Sequence, residues 1–173
     1  MEKFVVLFRG INVGGNNLLP MKALVPLLED NHYQNISTYI QSGNVVLESQ
    51  EDPTVNIQNI VTNHFGFTPK VISFKEDEWL NAFDNNPYTA FEGKFVHLYF
   101  CNNTIVLDSE KLTKYISHSE QYHINDNVFY LHAPDGIGRS KLIANIERCL
   151  QQDATGRNLN TVKKLSSMLN QQE

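Results

Sequence analysis

The sequence predicts an α+β fold of two ferredoxin-like halves, each of βαββαβ type, packed as one unit with a C-terminal helix. Three observations predict it. The order strand–helix–strand–strand–helix–strand fills residues 3–74. The same order starts again at residue 95. The chain has 173 residues, 41% of them apolar, which is enough to bury a core in one domain or two small halves.

Each element has a physical signal. Lys3–Arg9 (KFVVLFR) is apolar on both faces, the mark of a central strand. A loop follows from Gly10. Residues 20–31 place Met21, Leu24, Val25, Leu27 and Leu28 on one helix face. Pro26 lies too deep for a first-turn proline, so a late start or a kink is expected there. Thr38–Glu48 reads as two short strands around Gln41–Asn44, with Ser42-Gly43-Asn44 as the turn and Gly43 at positive φ. Residues 53–65 carry Val55, Ile57, Ile60, Val61 and Phe65 near helical spacing, and Lys70–Phe74 is a β-branched strand. In the second half, Phe95–Phe100 is a strand, Ser109–Ile116 a short helix, and Gln121–Ile124 with Val128–His132 a hairpin around Asn125-Asp126-Asn127. Ser140–Leu150 and Asn160–Leu169 complete it as helices. The halves are bounded at 1–76 and 94–173. Residues 77–93 link them, held down by Trp79, Phe83, Tyr88 and Phe91.

Composition narrows the function. Charged residues make up 19% and aromatics 10%, as in globular proteins and unlike disordered ones. The longest apolar run, Phe4–Phe8, is far short of the roughly 20 residues of a membrane span. The opening residues lack the shape of a secretory signal, and Cys101 and Cys149 do not make a disulfide framework. A cytoplasmic protein with reduced thiols is expected, without a membrane partner. Net charge is −5, unevenly spread: residues 1–135 hold 8 Lys+Arg against 16 Asp+Glu, and residues 136–173 hold 6 against 3. A general nucleic-acid binder is usually basic throughout, so nucleic acid is not the expected partner, whereas one local anion site fits.

Five ordered motifs carry a family resemblance: FRGINVGG at Phe8–Gly15, TYIQSGNVV at Thr38–Val46, KFVHLYF at Lys94–Phe100, LHAPDGIGRSKL at Leu131–Leu142 and TGRNLNTVKKL at Thr155–Leu165. Together they resemble the bacterial domain of unknown function 1697 (DUF1697) family, over almost the whole chain. The resemblance implies two ferredoxin-like halves and brings no reaction, cofactor or catalytic residue. Leu159 stands where family members often have Trp, and Pro26 where a helix former is expected.

Two clusters are candidate sites. The second half offers Asp135, Gly136, Gly138, Arg139, Ser140 and Lys141 at a strand-to-helix junction. Ser140 can cap the helix, while free N–H groups, the helix dipole and two cations favour an anion. Arg157 and Asn158, with Lys163 and Lys164, lie in the next motif and can face the same place. The plain alternative is a helix cap with an Asp135–Arg139 ion pair. The first half offers Arg9, Asn12, Gly14, Gly15, Gln41, Ser42 and Asn44, converging at one end of a ferredoxin-like sheet. Glycine-rich strand-to-helix loops cradle phosphate, yet Asn16 and Asn17 stand where a P-loop has Lys and Ser/Thr. The alternative is a rigid turn network.

The six histidines show no metal-ligand spacing and there is no CxxC, so no metal and no cofactor are expected. His97 and His132 read as satisfied strand residues, and Ser42 lacks a GxSxG elbow. The leading expectation is a module that binds a small anionic or phosphorylated ligand, nucleotide-like in kind. An enzyme on such a ligand, with Arg9, Arg139 and Lys141 as clamps, and a protein-interaction domain remain open alternatives.

Overall fold

The computed structural model describes residues 1–171. The chain divides into two compact units. The first comprises residues 1–81 together with Lys164 onward, and the second residues 82–163. The last two residues of the expected second half, 172 and 173, lie outside the described residues.

In the first unit the elements are β1 (Glu2–Arg9), α1 (Met21–Asp30), β2 (Gln34–Tyr39), β3 (Asn44–Ser49), α2 (Thr54–Phe65) and β4 (Lys70–Lys75). The sheet order is β2-β3-β1-β4, wholly antiparallel, the ferredoxin-like arrangement. Phe4 to Phe8 are all buried because β1 has a strand on each side and covered faces. On one face Phe4, Val6 and Phe8 join Leu24, Leu28, Ile57 and Val61 in a single core. The register places Arg9 opposite Lys70 and Leu7 opposite Asn44 at one end of the sheet. Glu2 lies opposite Ser49 at the other.

Pro26 does not delay α1, which begins at Met21 and carries the proline inside. Its missing N–H leaves one carbonyl of the first turn without a helical partner, a loss the burial of Met21, Leu24 and Leu28 offsets. Gly66 ends α2 in the left-handed conformation at φ 79, its N–H returning to the Thr62 carbonyl. β2 starts at Gln34, earlier than expected, with an irregularity between Gln34 and Ser37 that hides its alternation.

The second unit repeats the order: β5 (Val96–Phe100), α4 (Ser109–Tyr115), β6 (Gln121–Asn125), β7 (Val128–His132), α5 (Lys141–Ala144), α6 (Ile146–Leu150) and β8 (Thr155–Asn158). Its sheet order, β6-β7-β5-β8, is the same. Tyr99, Phe129, Leu131, Leu112, Leu142 and Cys149 share its core. The expected helix from Ser140 to Leu150 is two short ones. Asn145 breaks it: its side chain donates to the Lys141 carbonyl at 2.8 Å, and its own N–H goes to Leu142, so the regular ladder stops there.

Two further α-helices complete the described ones. In sequence between β4 and β5 comes α3 (Glu76–Asp84), which opens on Glu76, Asp77 and Glu78, favourable charges for a first turn. The last is α7 (Leu159–Asn170), with Leu165, Met168 and Leu169 buried. Within the first unit the Trp79 indole packs 5.8 Å from Phe74 and donates to the Ser166 hydroxyl at 3.0 Å. The Lys3 ammonium donates to the Leu169 carbonyl at 3.0 Å.

Candidate functional site

In the second unit the segment between α4 and β6 faces the segment between β7 and α5 across a cavity of about 440 Å³. Gly136, Arg139, Ser140 and Lys141 line it, with Gly138 in the same loop. Gly136 has φ 81 and turns the chain after Ala133, a conformation that a side chain resists. The opposite wall is Lys114, Ser117, Ser119 and Glu120. These wall residues are far from Arg139 in sequence, and only the polar run Ser117-His118-Ser119-Glu120 after α4 hints at them.

The walls are laced together by short hydrogen bonds. Ser140 caps α5 by accepting from the Ile143 N–H, and its hydroxyl donates to a Glu120 oxygen at 2.6 Å. The other Glu120 oxygen accepts from the Ser117 N–H at 2.9 Å. Ser119 donates to Asp135 at 2.7 Å. Thus Asp135 is held by Ser119, and among the described residues neither the Arg139 guanidinium nor the Lys141 ammonium has a hydrogen bond or an ion pair. Lys114 lies 5.3 Å over the Tyr115 ring. Three exposed cations therefore surround a cavity that also holds two carboxylates. Beneath the site Tyr99 is buried, and burial together with the nearby Glu120 charge pushes its phenol up, so it stays protonated.

The structure does not bring Arg157 and Asn158 to this cavity's lining. Both lie on β8, a strand too short and too polar to show in the pattern. Arg157 sits opposite Leu98, half-buried, and donates to the Gly156 carbonyl at 2.9 Å. Burial lowers its guanidinium to about 10, which leaves it charged at neutral pH. Asn158 accepts from the Thr161 N–H at 2.9 Å and so caps α7. α5 is a single turn whose Ile143 N–H is already taken by Ser140, so side-chain charge, rather than a helix dipole, sets the potential here.

The first-unit cluster does converge. The Asn12 side chain donates to the Leu19 carbonyl at 3.0 Å and the Gln41 carbonyl at 2.8 Å, and accepts from the Leu19 N–H at 2.7 Å. Asn44 donates to the Tyr39 carbonyl and the Ser42 hydroxyl. Gly43 has φ 94, and its carbonyl accepts from the Phe8 N–H at 2.9 Å. Gly14 and Gly15, both at positive φ, form the exposed tip of a tight turn closed by Val13 and Asn16. Arg9 ends β1 opposite Lys70 at the same end of the sheet. The amides of this cluster are engaged with its own backbone.

At the other end of the first sheet a cavity of about 800 Å³ is lined by Glu29, His32, Tyr33, Glu51, Asp52 and Asn56, among others. Asn56 donates to the Tyr33 hydroxyl at 2.7 Å, while burial and the Asp52 and Glu51 charges push that phenol up. Such a surface repels anions. Among the described residues no three His, Cys, Asp or Glu side chains gather so as to hold a metal ion, and no helix is long and apolar enough to cross a membrane.

Among solved structures the chain is similar to a conserved bacterial protein from Streptococcus pneumoniae, at 19% identity and a TM-score of 0.69, covering 97% of this chain and 98% of that one. At that identity the likeness shows the fold. No curated protein matches the chain. Residues 1–130 match the model of the protein of unknown function DUF1697, and the chain belongs to that family.

Proposed function

We propose that the protein binds a small anionic ligand of nucleotide-like size in the second-unit cavity. One observation carries this reading: Arg139 and Lys141, with no side-chain partner among the described residues, face Lys114 across about 440 Å³. Cavities of roughly 300–1,000 Å³ suit small ligands. Glu120 is occupied by Ser117 and Ser140, so it shapes the wall. Asp135 spends one oxygen on Ser119, and its other oxygen suits a sugar hydroxyl. A phosphorylated ligand with free hydroxyls matches both sets of groups. Two free, buried thiols, Cys101 and Cys149, support a reducing, cytoplasmic setting for it.

The test is thermal denaturation at fixed ionic strength with phosphate, ribose 5-phosphate and AMP. A ligand at about 100 times its Kd stabilises by about 2.7 kcal/mol, in a saturable way. Arg139→Ala with Lys141→Ala removes that response and changes the unliganded protein by about 0–1 kcal/mol. If none of the three probes gives a saturable shift, the reading fails.

A further inference from the structure

The net charge of −5 averages over a strong polarity within the first unit. All nine Asp and Glu of residues 1–81 fall at positions 2, 29–30, 48–52 and 76–78. Register and element order put every one of them toward the Glu2 end of the sheet. The opposite end is built from residues 9–22, 39–44 and 64–70, which contain Arg9, Lys22 and Lys70 and no carboxylate. Lys164 joins them, its ammonium 6.0 Å over the Tyr39 ring.

The same end presents aliphatic side chains to solvent: Val13 is 65% exposed, Leu18 61% and Ile40 49%. They are held close together. Asn12, next to Val13, grips the carbonyl of Leu19 and that of Gln41, the neighbours of Leu18 and Ile40. Ile40 has φ 50. A β-branched residue there is a genuine outlier, because its Cβ crowds the backbone, and Gly or Asn fits the position better. Neither burial nor turn geometry accounts for an isoleucine at this point, and strain of this kind clusters where a surface has work to do.

We propose that this carboxylate-free end of the first unit binds single-stranded nucleic acid, with its cations on the phosphates and Val13, Leu18 and Ile40 against the bases. A single strand brings one negative charge per nucleotide together with flat apolar faces, which is the combination this end complements. The exposed amides of Asn16 and Gln41 supply donors and acceptors for base edges, which favours a nucleic acid over an acidic peptide. The sheet faces used by other ferredoxin-like binders are closed here, since Val5, Leu7 and Phe74 on one face and Phe4, Val6 and Phe8 on the other are buried. The overall acidity argued against nucleic acid; the segregation of charge reverses that for one end of one unit.

The experiment is fluorescence anisotropy on the full chain with labelled 20-nucleotide oligo(U) and oligo(dT), at several salt concentrations, with a heparin fragment as competitor. Single strands bind, and log affinity falls with log salt at a slope of about −2 to −3, as three or four phosphate contacts require. A preference for one probe identifies the strand as RNA or DNA. Lys22→Glu with Lys70→Glu weakens binding tenfold or more. Ile40→Asn raises the Tm by about 2–4 °C by relieving strain and weakens binding severalfold. A gain in stability with a loss of affinity from one substitution marks a docking residue. Should that variant misfold, Val13→Ser and the lysine pair carry the same comparison. Absence of binding to both probes at low salt overturns the proposal. So does affinity unchanged by the aliphatic substitutions, or displacement by heparin as readily as by unlabelled strand, since either leaves only ion exchange or binding elsewhere. The Arg139→Ala, Lys141→Ala variant keeps its nucleic-acid binding, so this proposal and the cavity proposal fail separately.

Discussion

The two units share one topology and differ in regularity. The first has helices of 10 and 12 residues and strands of 6 to 8. The second has strands of 4 or 5 residues, a helix of 7 and a split pair of 4 and 5. Long helices bury a continuous stripe, and the loop between β1 and α1 is tied down by the Asn12 side chain. Asn145 splits the helix, and the loop that leads into its first half forms one wall of the 440 Å³ cavity. The irregular copy thus holds a hollow ringed by cations, while the regular copy holds an acid-lined one at one end of its sheet and rigid turns at the other.

The largest expected effect tests that rigidity. A Cβ on Gly43 would stand 2.6 Å from the Phe8 Cβ and 2.7 Å from the Ile11 Cδ1, on a backbone at φ 94. Gly43→Ala should destabilise by about 3 kcal/mol, adding overpacking to left-handed strain. A left-handed glycine of the second unit, Gly136 at φ 81 in the loop after β7, meets nothing within 4 Å, and Gly136→Ala should cost only about 1 kcal/mol. Urea denaturation of both variants measures the contrast, and equal losses would break it.

A smaller effect probes the cavity wall. Ser140→Ala removes the cap on Ile143 and the donor to Glu120, and should cost about 1–2 kcal/mol. Hydrogen exchange should speed up at residues 117–120, whose hold on the opposite loop is then reduced to the Ser119–Asp135 bond. Unchanged protection there would show that the two walls are held independently.

The smallest effect is a slope. His97 is buried on β5, its Nε2 has no hydrogen-bond partner among the described residues, and burial lowers its pKa below the ordinary 6.5. The folded state therefore holds it neutral while the unfolded chain takes up a proton. Stability from this group is complete above about pH 6.5 and is lost as pH falls below it toward the folded value. His97→Gln should flatten the pH dependence of Tm in that range, and an unaltered slope would assign it to other groups.

Much of this fold was legible in the sequence because its signals are local. Phe4–Phe8 could only be a central strand, and Ser42-Gly43-Asn44 could only be a turn. β8 was not legible: Thr155-Gly156-Arg157-Asn158 has no alternation, and its strand geometry comes from pairing with β5, where Gly156 makes room for the Tyr99 ring. The break at Asn145 was hidden behind the helical spacing of Leu142, Ile146 and Cys149, since periodicity does not register a side chain competing for a carbonyl. For the candidate site, Gly136, Arg139, Ser140 and Lys141 were found as a run. Lys114 and Glu120 were missed because only folding brings them there, and Arg157 was placed by charge when its strand points it elsewhere.

The first unit is discontinuous in the chain: Trp79 gives its indole proton to Ser166, and Lys3 its ammonium proton to Leu169. On a ribosome, residues 1–81 emerge long before their partners in residues 164–170, which follow the whole second unit. At roughly 5–20 residues per second the nascent sheet waits several seconds with that side bare. That side of the early sheet is therefore closed only when α7 arrives, and α7 works as a latch on the first unit.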